Sequence, residues 1–474
     1  MPSLGEIRRD LVIAVALVLV YVAVWGFEYS TDLLGRSPVL DAQENLGWVE
    51  SIREQQLPAE PLYRALLYPS LLSLLPFSVT SLPQVALVFG LGCHVLSAFL
   101  VYWLARHVWK SQPAGWGGAL VYAVYPVALY FSVQVLDVTF ATTLFLAALV
   151  CLLCPKKPSA AWQLLGGICI GLAVLARPNF LLVALVLPIV AMILSQARGR
   201  LSWTAPFYVG LPICLLLLGQ GLISQRISGD FRILPWQGSY NLYAANKTGA
   251  NGRYFVQQFS FEKLPVGVNP TRKESEVLYQ QAVGEDASLE IDAMSAHWRA
   301  ALCDDVLDNP FRWLGLMGRK VIYLFNDWEQ YNNLSYAYQK ERFSLLRYNP
   351  LGWGVLVLIA CLALVYGSGK CDCWGLAMLG LIGLTYAAGV LLFFVSARFR
   401  LPLAPLLCVA AAGVVYLRPL IEPKRVLLTV GLLLPLGLLV YGNWFGARDR
   451  GTFIQDQALL AISASHQADD DQAL

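Results

Sequence analysis

Long stretches of this chain carry no charge at all. Residues 11–25 read LVIAVALVLVYVAVW, 180–194 read FLLVALVLPIVAMIL and 427–441 read LLTVGLLLPLGLLVY. Such runs are apolar on every helical face, and a membrane-crossing helix needs about 20 mostly apolar residues. The pattern predicts eleven spans, at 10–27, 85–104, 114–130, 133–153, 162–176, 180–195, 203–224, 351–366, 373–395, 399–417 and 427–444. Segments 62–77 and 311–325 are apolar but short or interrupted, which suits re-entrant or interfacial pieces. The first run follows Arg8 and Arg9 and has no small-residue cleavage site before the next loop, so it reads as a retained span. The expected fold class is therefore an all-α integral membrane protein with about eleven spans.

The polar positions set the sides. Basic clusters at Arg8-Arg9, Arg106 with Lys110, Lys156-Lys157, Arg198 with Arg200, Lys370 and Lys424-Arg425 fall on one side of this arrangement, which the positive-inside rule makes cytoplasmic. Outside lie 28–61, 225–312 and the tail from 445. The expected organisation is a membrane module over 1–224 with a first outer loop at 28–84, an extracytoplasmic loop region with interfacial helices over 225–350, further spans over 351–444, and a polar, disordered tail over 445–474. Composition agrees, with 57% hydrophobic and 14% charged residues and a mean hydropathy of +0.57, against roughly a quarter charged residues in a soluble domain. A net charge of +3 with scattered basic groups gives no reason to expect nucleic acid as a partner. Most of the ten cysteines stand in apolar runs as small hydrophobes, and Cys371 with Cys373 lacks two further zinc ligands. Ionisable residues are scarce within the predicted helices, whereas a transporter usually places polar groups near the bilayer midplane. The chemistry is expected on the outer face.

The first outer loop offers the sharpest candidates. Asp41 and Glu44 stand three residues apart ahead of a helix-forming stretch at 42–55. They suit a helix cap and its capping box, or a carboxylate able to take a proton from a hydroxyl, or an oxygen site for a divalent ion (Mg2+ or Mn2+). Leu46, Val49, Ile52 and Leu57 give the stretch an apolar face suited to the membrane surface. In the second outer loop, Tyr240-Asn241-Leu242-Tyr243-Ala244-Ala245-Asn246 reads as turns with a sugar-binding character, aromatic faces beside amides. Asn246-Lys247-Thr248 also matches a glycosylation acceptor.

Several strings together resemble one family. Asp41 is followed by Pro61-Leu62-Tyr63-Arg64-Ala65-Leu66-Leu67-Tyr68-Pro69; later come Tyr125-Pro126 with Tyr130-Phe131, Ala176-Arg177-Pro178-Asn179 and Ser396-Ala397-Arg398-Phe399-Arg400-Leu401-Pro402. Their order and their placement against the spans, from about residue 10 to 417, resemble the glycosyltransferase family 39 group. That group contains protein O-mannosyltransferases and the aminoarabinose transferase of lipid A, and has the GT-C fold. Leu66 stands where a proline is common in the group.

The resemblance implies an inverting transfer of a sugar from a polyprenyl-phosphate-linked donor to a glycan, lipid or protein acceptor of the cell envelope. Catalysis would occur outside the cytoplasm at a bacterial inner membrane, with membrane lipids as surroundings. Asp41 takes the part of general base, with Glu44 beside it. Gln134 replaces an acid common in relatives, and Asp137 one turn on is either the second carboxylate or a cap for the helix from 138; this leaves a metal site open. Tyr63 and Arg64 stand at the cavity mouth. Arg64, Arg398 and Arg400 suit the donor phosphate, because a guanidinium offers two parallel bonds to its oxygens. Lys320 meets the phosphate or anchors to lipid. Glu329, Asn332, Asn333, Tyr243 and Asn246 are expected to line the sugar or acceptor pocket. Arg177 is assigned a structural role, bonding the last carbonyls of the fifth span. Two other classes stay open: a polyprenyl-lipid transporter, and a non-catalytic scaffold of a polysaccharide-assembly system.

Overall fold

The structure is a computed structural model that describes residues 4–57, 60–155, 159–197, 203–259, 269–417 and 423–473. Among these residues every regular element is helical. The first loop region carries α1 (Leu4–Ser30), α2 (Leu33–Arg36), α3 (Asp41–Arg53) and α4 (Leu67–Ser73). The first bundle follows with α5 (Leu82–Trp109), α6 (Gln112–Ala123), α7 (Pro126–Ser132), α8 (Val138–Leu153), α9 (Ala160–Ala176), α10 (Leu181–Ala197) and α11 (Thr204–Ser228). The second outer region holds α12 (Gly238–Asn246), α13 (Pro270–Val283), α14 (Ile291–Asp308), α15 (Pro310–Phe325), α16 (Tyr336–Arg342) and α17 (Ser344–Arg347). The chain ends with α18 (Trp353–Gly367), α19 (Cys373–Leu392), α20 (Ala397–Arg400), α21 (Ala404–Ala411), α22 (Pro423–Tyr441) and α23 (Phe453–Ala473).

Six described helices, or seven counting one bent pair, are long and apolar enough to cross a membrane. The bent pair is α6 with α7, which meet at 58°. Pro126 starts α7 and has no N–H to carry the α6 ladder on; just before it, the Ala123 carbonyl lies 2.9 Å from His94 Nε2. The remaining four expected spans fall on shorter apolar helices, Val138–Leu153, Ala160–Ala176, Trp353–Gly367 and Val426–Tyr441. Exposed Leu, Val, Phe and Trp side chains cover the spans, among them Val88, Leu185, Leu384 and Leu434, as expected of a lipid-facing surface. This is a multi-pass membrane protein. The basic clusters at Lys156-Lys157 and at Arg198 with Arg200 lie outside the described residues.

Close packing brings helix ends together on one side of the bundle. A Cβ on Gly90 would stand 2.0 Å from the Ser132 carbonyl oxygen, so only glycine lets α5 approach the end of α7 and fix the 132–137 turn. Phe145, Phe180 and Tyr386 pack α8, the turn leading into α10, and α19 against one another, with ring centroids 4.9–6.3 Å apart.

Four expectations need correction. The apolar side of α3 is not laid on the membrane: Val49 is buried with Tyr68, Leu72, Leu82, Ala86 and Val135, because α4 folds back beneath it. Arg53 fixes that fold by donating to the carbonyls of Ser73, Leu75 and Phe77. The Tyr-Asn stretch is not a set of turns but the helix α12. Its Asn246 is buried and engaged through its side-chain amide, which does not suit a glycosylation acceptor. Finally, the polar tail is not disordered. It forms α23, whose Asp456 and Ser463 are fully buried because they bond groups of α2 and α16.

Candidate active site

Six charged side chains converge at one end of the bundle. Asp41 is the first residue of α3, but its carboxylate makes no cap bond to that helix. It is held from two sides: Arg64 Nη1 donates to Oδ1 at 3.2 Å and Arg398 Nη1 donates to Oδ2 at 2.7 Å. The Asn333 side chain adds a hydrogen bond. Arg64 also pairs with Glu44, whose Oε2 accepts from Asn269 Nδ2 at 3.0 Å. The capping reading of Asp41 and Glu44 is thereby replaced: both acids face arginines.

Asp137 and Arg177 complete the group. Asp137 makes no cap bond to α8; Arg177 Nη1 donates to its Oδ1 at 2.8 Å. The expected bond from the Arg177 side chain to the carbonyls of the fifth span is therefore corrected, since the guanidinium turns across the turn to Asp137. Arg177 and Arg398 both lie over the ring of Phe399, at 4.8 and 5.7 Å from its centroid. Asp137 also acts electrostatically on Arg64 and Arg398. Three carboxylates thus balance three guanidinium groups.

Burial raises the Asp41 carboxyl, but the charges of Arg64 and Arg398 and the bond from Asn333 outweigh it and hold the group well below the usual carboxylate range. Arg64 is opposed by burial, yet the three acids around it raise it above the ordinary guanidinium value. The backbone before Asp41 is distorted. Leu40 has φ 55° and ψ −130°, a region that L side chains rarely enter and that clusters at functional sites.

A narrow cleft with only about 20 Å³ of free space opens beside this group, walled by Leu34, Pro38, Val39 and Leu136, with Gln134 and Asn333 as its polar lining. Gln134 is buried and donates weakly to the Tyr130 carbonyl at 3.4 Å. Asn332 points to Ser396 Oγ at 3.3 Å.

Other expected site residues are placed elsewhere. Arg400 turns from the phosphate role to Glu329, 2.7 Å away, and to the Trp353 ring at 4.3 Å. It also donates to the carbonyls of Tyr323, Leu324 and Asn326. Residues two apart on a helical turn do not share a face, so Arg398 and Arg400 diverge. Burial raises the Glu329 carboxyl, against the pull of Arg400. Lys320 is fully buried and donates to Asn246 Oδ1 at 3.1 Å and to the carbonyls of Leu391 and Phe393 at 3.0 and 2.7 Å. It therefore ties α12 and α15 to the unwound end of α19 and is not anchored to lipid. Tyr243 stacks on Trp298 at 5.0 Å, within an aromatic group that includes Trp236, Tyr240 and Tyr63. Trp236 reaches back to the first loop, donating through Nε1 to the Pro61 carbonyl at 3.2 Å. The 229–310 region thus covers the first loop beside Arg64.

Sequence reasoning missed Asn269, Asn45 and Phe399. Asn269 before Pro270 is a readable helix start, and its Oδ1 does accept from Thr271 N at 2.9 Å; nothing local revealed that its amide reaches Glu44. Asn45 fixes α3 by donating to the Val135 carbonyl at 2.8 Å.

The donor set does not fit a divalent cation. Among the described residues no group of three His, Cys, Asp or Glu side chains is placed to hold a metal ion, and Asp41 and Glu44 already face guanidinium groups. The positive charge at this site is the protein's own.

Residues 73–220 match the family described as dolichyl-phosphate-mannose-protein mannosyltransferase, and the resemblance read from the sequence holds over that segment. It is less than a third of the chain; it contains Gln134, Asp137 and Arg177 and begins after Asp41 and Arg64. The described residues form an all-α membrane bundle. The chain is similar to the oligosaccharyltransferase of Archaeoglobus fulgidus in its apo form, with a TM-score of 0.45 at 14% identity over 94% of this chain and 54% of that one. It thus spans about half of that protein's length. It is also similar to ArnT from Cupriavidus metallidurans, with TM-scores of 0.38 in the apo state and 0.33 bound to undecaprenyl phosphate. Each is at 13% identity, over 86% and 88% of this chain and 77% and 78% of ArnT. No curated protein sequence matches the chain.

Proposed function

We propose that this protein is an inverting glycosyltransferase that moves a sugar from a polyprenyl-phosphate donor to a hydroxyl acceptor of the cell envelope, on the extracytoplasmic face. The observation that carries this reading is the placement of Asp41 between Arg64 and Arg398, at the lip of a cleft with apolar walls. The family match over 73–220 supports the same class, and the ArnT solved with undecaprenyl phosphate makes that lipid a reasonable probe.

The chemistry follows from the charges. The acceptor oxygen attacks the anomeric carbon, the bond from that carbon to the phosphate oxygen breaks, and the acceptor proton passes to Asp41. Attack opposite the leaving phosphate inverts the centre. A polyprenyl phosphate leaves without protonation, so the site needs cations for the growing negative charge more than an acid. Arg64 and Arg398 supply them. While they hold Asp41 the carboxylate is a weak base; when donor phosphate draws either guanidinium away, the carboxyl rises toward a more basic value. Donor binding thus prepares the base. Asp137 keeps Arg177 oriented behind Phe399.

The test uses purified full-length protein and an undecaprenyl-phosphate-linked hexose, with release of undecaprenyl phosphate as the readout. Wild type active and a folded Asp41→Asn inactive is the expected result. Full turnover by Asp41→Asn would remove Asp41 from the role of base.

A further inference from the structure

The helix α23 packs on α2, far from it in sequence. We infer that α23 is a positioning element of the active site: with α2 and α16 it closes a ring of polar contacts that holds the turn leading into Asp41. The inference rests on Asp41 being the reactive carboxylate.

The ring can be followed atom by atom. Ser463 Oγ, on α23, meets the Ser37 carbonyl at 2.7 Å and the Leu33 carbonyl at 3.0 Å. Ser37 closes α2 and Leu33 opens it. Just before α2, Asp32 Oδ1 accepts from Leu34 N at 3.1 Å and its Oδ2 accepts from Arg342 Nη2 at 2.6 Å. Arg342 passes the contact along α16, donating to Gln339 Oε1 at 2.7 Å. Gln339 Nε2 donates to Asp456 Oδ1 at 3.0 Å, and Ser335 N donates to both Asp456 oxygens at 2.9 and 3.1 Å. Asp456 stands on α23, so the circuit returns to its start. Asp456, Gln339 and Ser463 are fully buried and Ser335 is 1% exposed, and a buried polar group left without its partner is costly.

Two chain segments leave this ring for the active site. From Ser37 the chain reaches Asp41 in four residues. From Ser335 it runs back two residues to Asn333, which bonds the Asp41 carboxylate. Between Ser37 and Asp41 sits Leu40 at φ 55°. A strained non-glycine residue persists where its surroundings over-determine it, and α23 supplies the restraint on its N-terminal side. The tail therefore fixes both the carboxylate and its amide partner without touching either.

The test follows amide hydrogen exchange over 33–41 together with steady-state turnover of the undecaprenyl-phosphate-linked hexose. In Ser463→Ala, exchange over 33–41 accelerates about tenfold or more as the segment opens locally. The kcat falls about tenfold while KM moves less than about twofold, because small misplacements of a reacting group act on rate. Asp456→Ala behaves alike, whereas Asp456→Asn, which keeps one acceptor oxygen, recovers most of the turnover. Leu40→Gly in the Ser463→Ala background restores part of the rate, since glycine takes positive φ without strain. Unchanged exchange and unchanged turnover per folded molecule in Ser463→Ala and Asp456→Ala would overturn the inference, even where the folded yield falls. An Asp41→Asn control separates the two readings. Full turnover there removes the assigned base, while exchange over 33–41 still decides the ring.

Discussion

Arg398 and Arg400 stand two residues apart on one short helix and live in different electrostatic worlds. Arg398 faces Asp41 in a group whose carboxylates keep 18–22% of their side-chain surface exposed. Arg400 faces Glu329 in a pair with 2% and 5% exposure. The first group has Arg64 and Arg398 sharing Asp41, so an incoming anion can take one guanidinium without leaving the acid bare. In the second pair the guanidinium is wrapped by three backbone carbonyls and the Trp353 ring, with no free side from which a ligand could approach. Shared, partly solvated charges can be exchanged for a substrate; enclosed ones hold the bundle together. Both arginines sit in one motif, and only the fold tells them apart.

The sharpest way to break this comparison is to neutralise the acid in each pair. Asp41→Asn is expected to lower turnover by about 10²–10⁴-fold, the usual worth of a general base, with folded protein retained. Glu329→Gln should leave turnover per folded molecule within about threefold, because its carboxyl is not within the reacting group. If Glu329→Gln abolishes turnover in well-folded protein, the division between the two pairs is wrong.

Removing the arginines should give the reverse ordering in stability. Arg400→Ala leaves Glu329 buried and unpaired, expected to cost about 3–5 kcal/mol and to appear as a lower melting temperature in detergent. Arg398→Ala should cost about 1.5–3 kcal/mol in the transition state, the worth of a charged hydrogen bond, and should appear in kcat/KM. Lysine at 398 would recover only part of it, lacking the planar fork. A variant at 398 that melts early yet turns over normally would exchange the two roles.

How much of this was legible in the sequence follows from the range of each signal. The apolar helices were readable because hydrophobicity is written locally, residue by residue; seven of the eleven expected spans, one of them bent, fall on helices long enough to cross a membrane and four on shorter ones. The first loop was readable because Asp41, Glu44 and Arg64 lie within 24 residues of one another. The partners across the fold were not: Asp41 meets Arg398 over a separation of 357 residues, and no periodicity reports such a contact. Arg177 was assigned to helix carbonyls because its neighbours in sequence are a helix end, whereas Asp137 is 40 residues away. The tail misled most. Its acidic residues suggested solvent, but Asp456 is fully buried on the N-terminal amide of Ser335, beside α16.

That buried acid gives the smallest and most easily inverted effect, a dependence of stability on pH. Burial pushes the Asp456 carboxyl up to about 6, against the pull of Ser335, Gln339 and the facing Arg342. The unfolded chain would titrate near ~3.9, so between those values the folded state binds the extra proton. The contribution is fully present below about pH 4 and is lost as pH rises through about 6, amounting to at most about 3 kcal/mol. This slope runs opposite to that of Asp41, whose depressed carboxyl adds stability above the unfolded value and loses it in acid. Melting temperatures of wild type and Asp456→Asn, measured from pH 4 to pH 7 in detergent, should therefore diverge, the variant gaining on wild type as pH rises. A constant difference across that range would mean that Asp456 stays ionised where it is buried, with Arg342 and the Ser335 amide together outweighing desolvation.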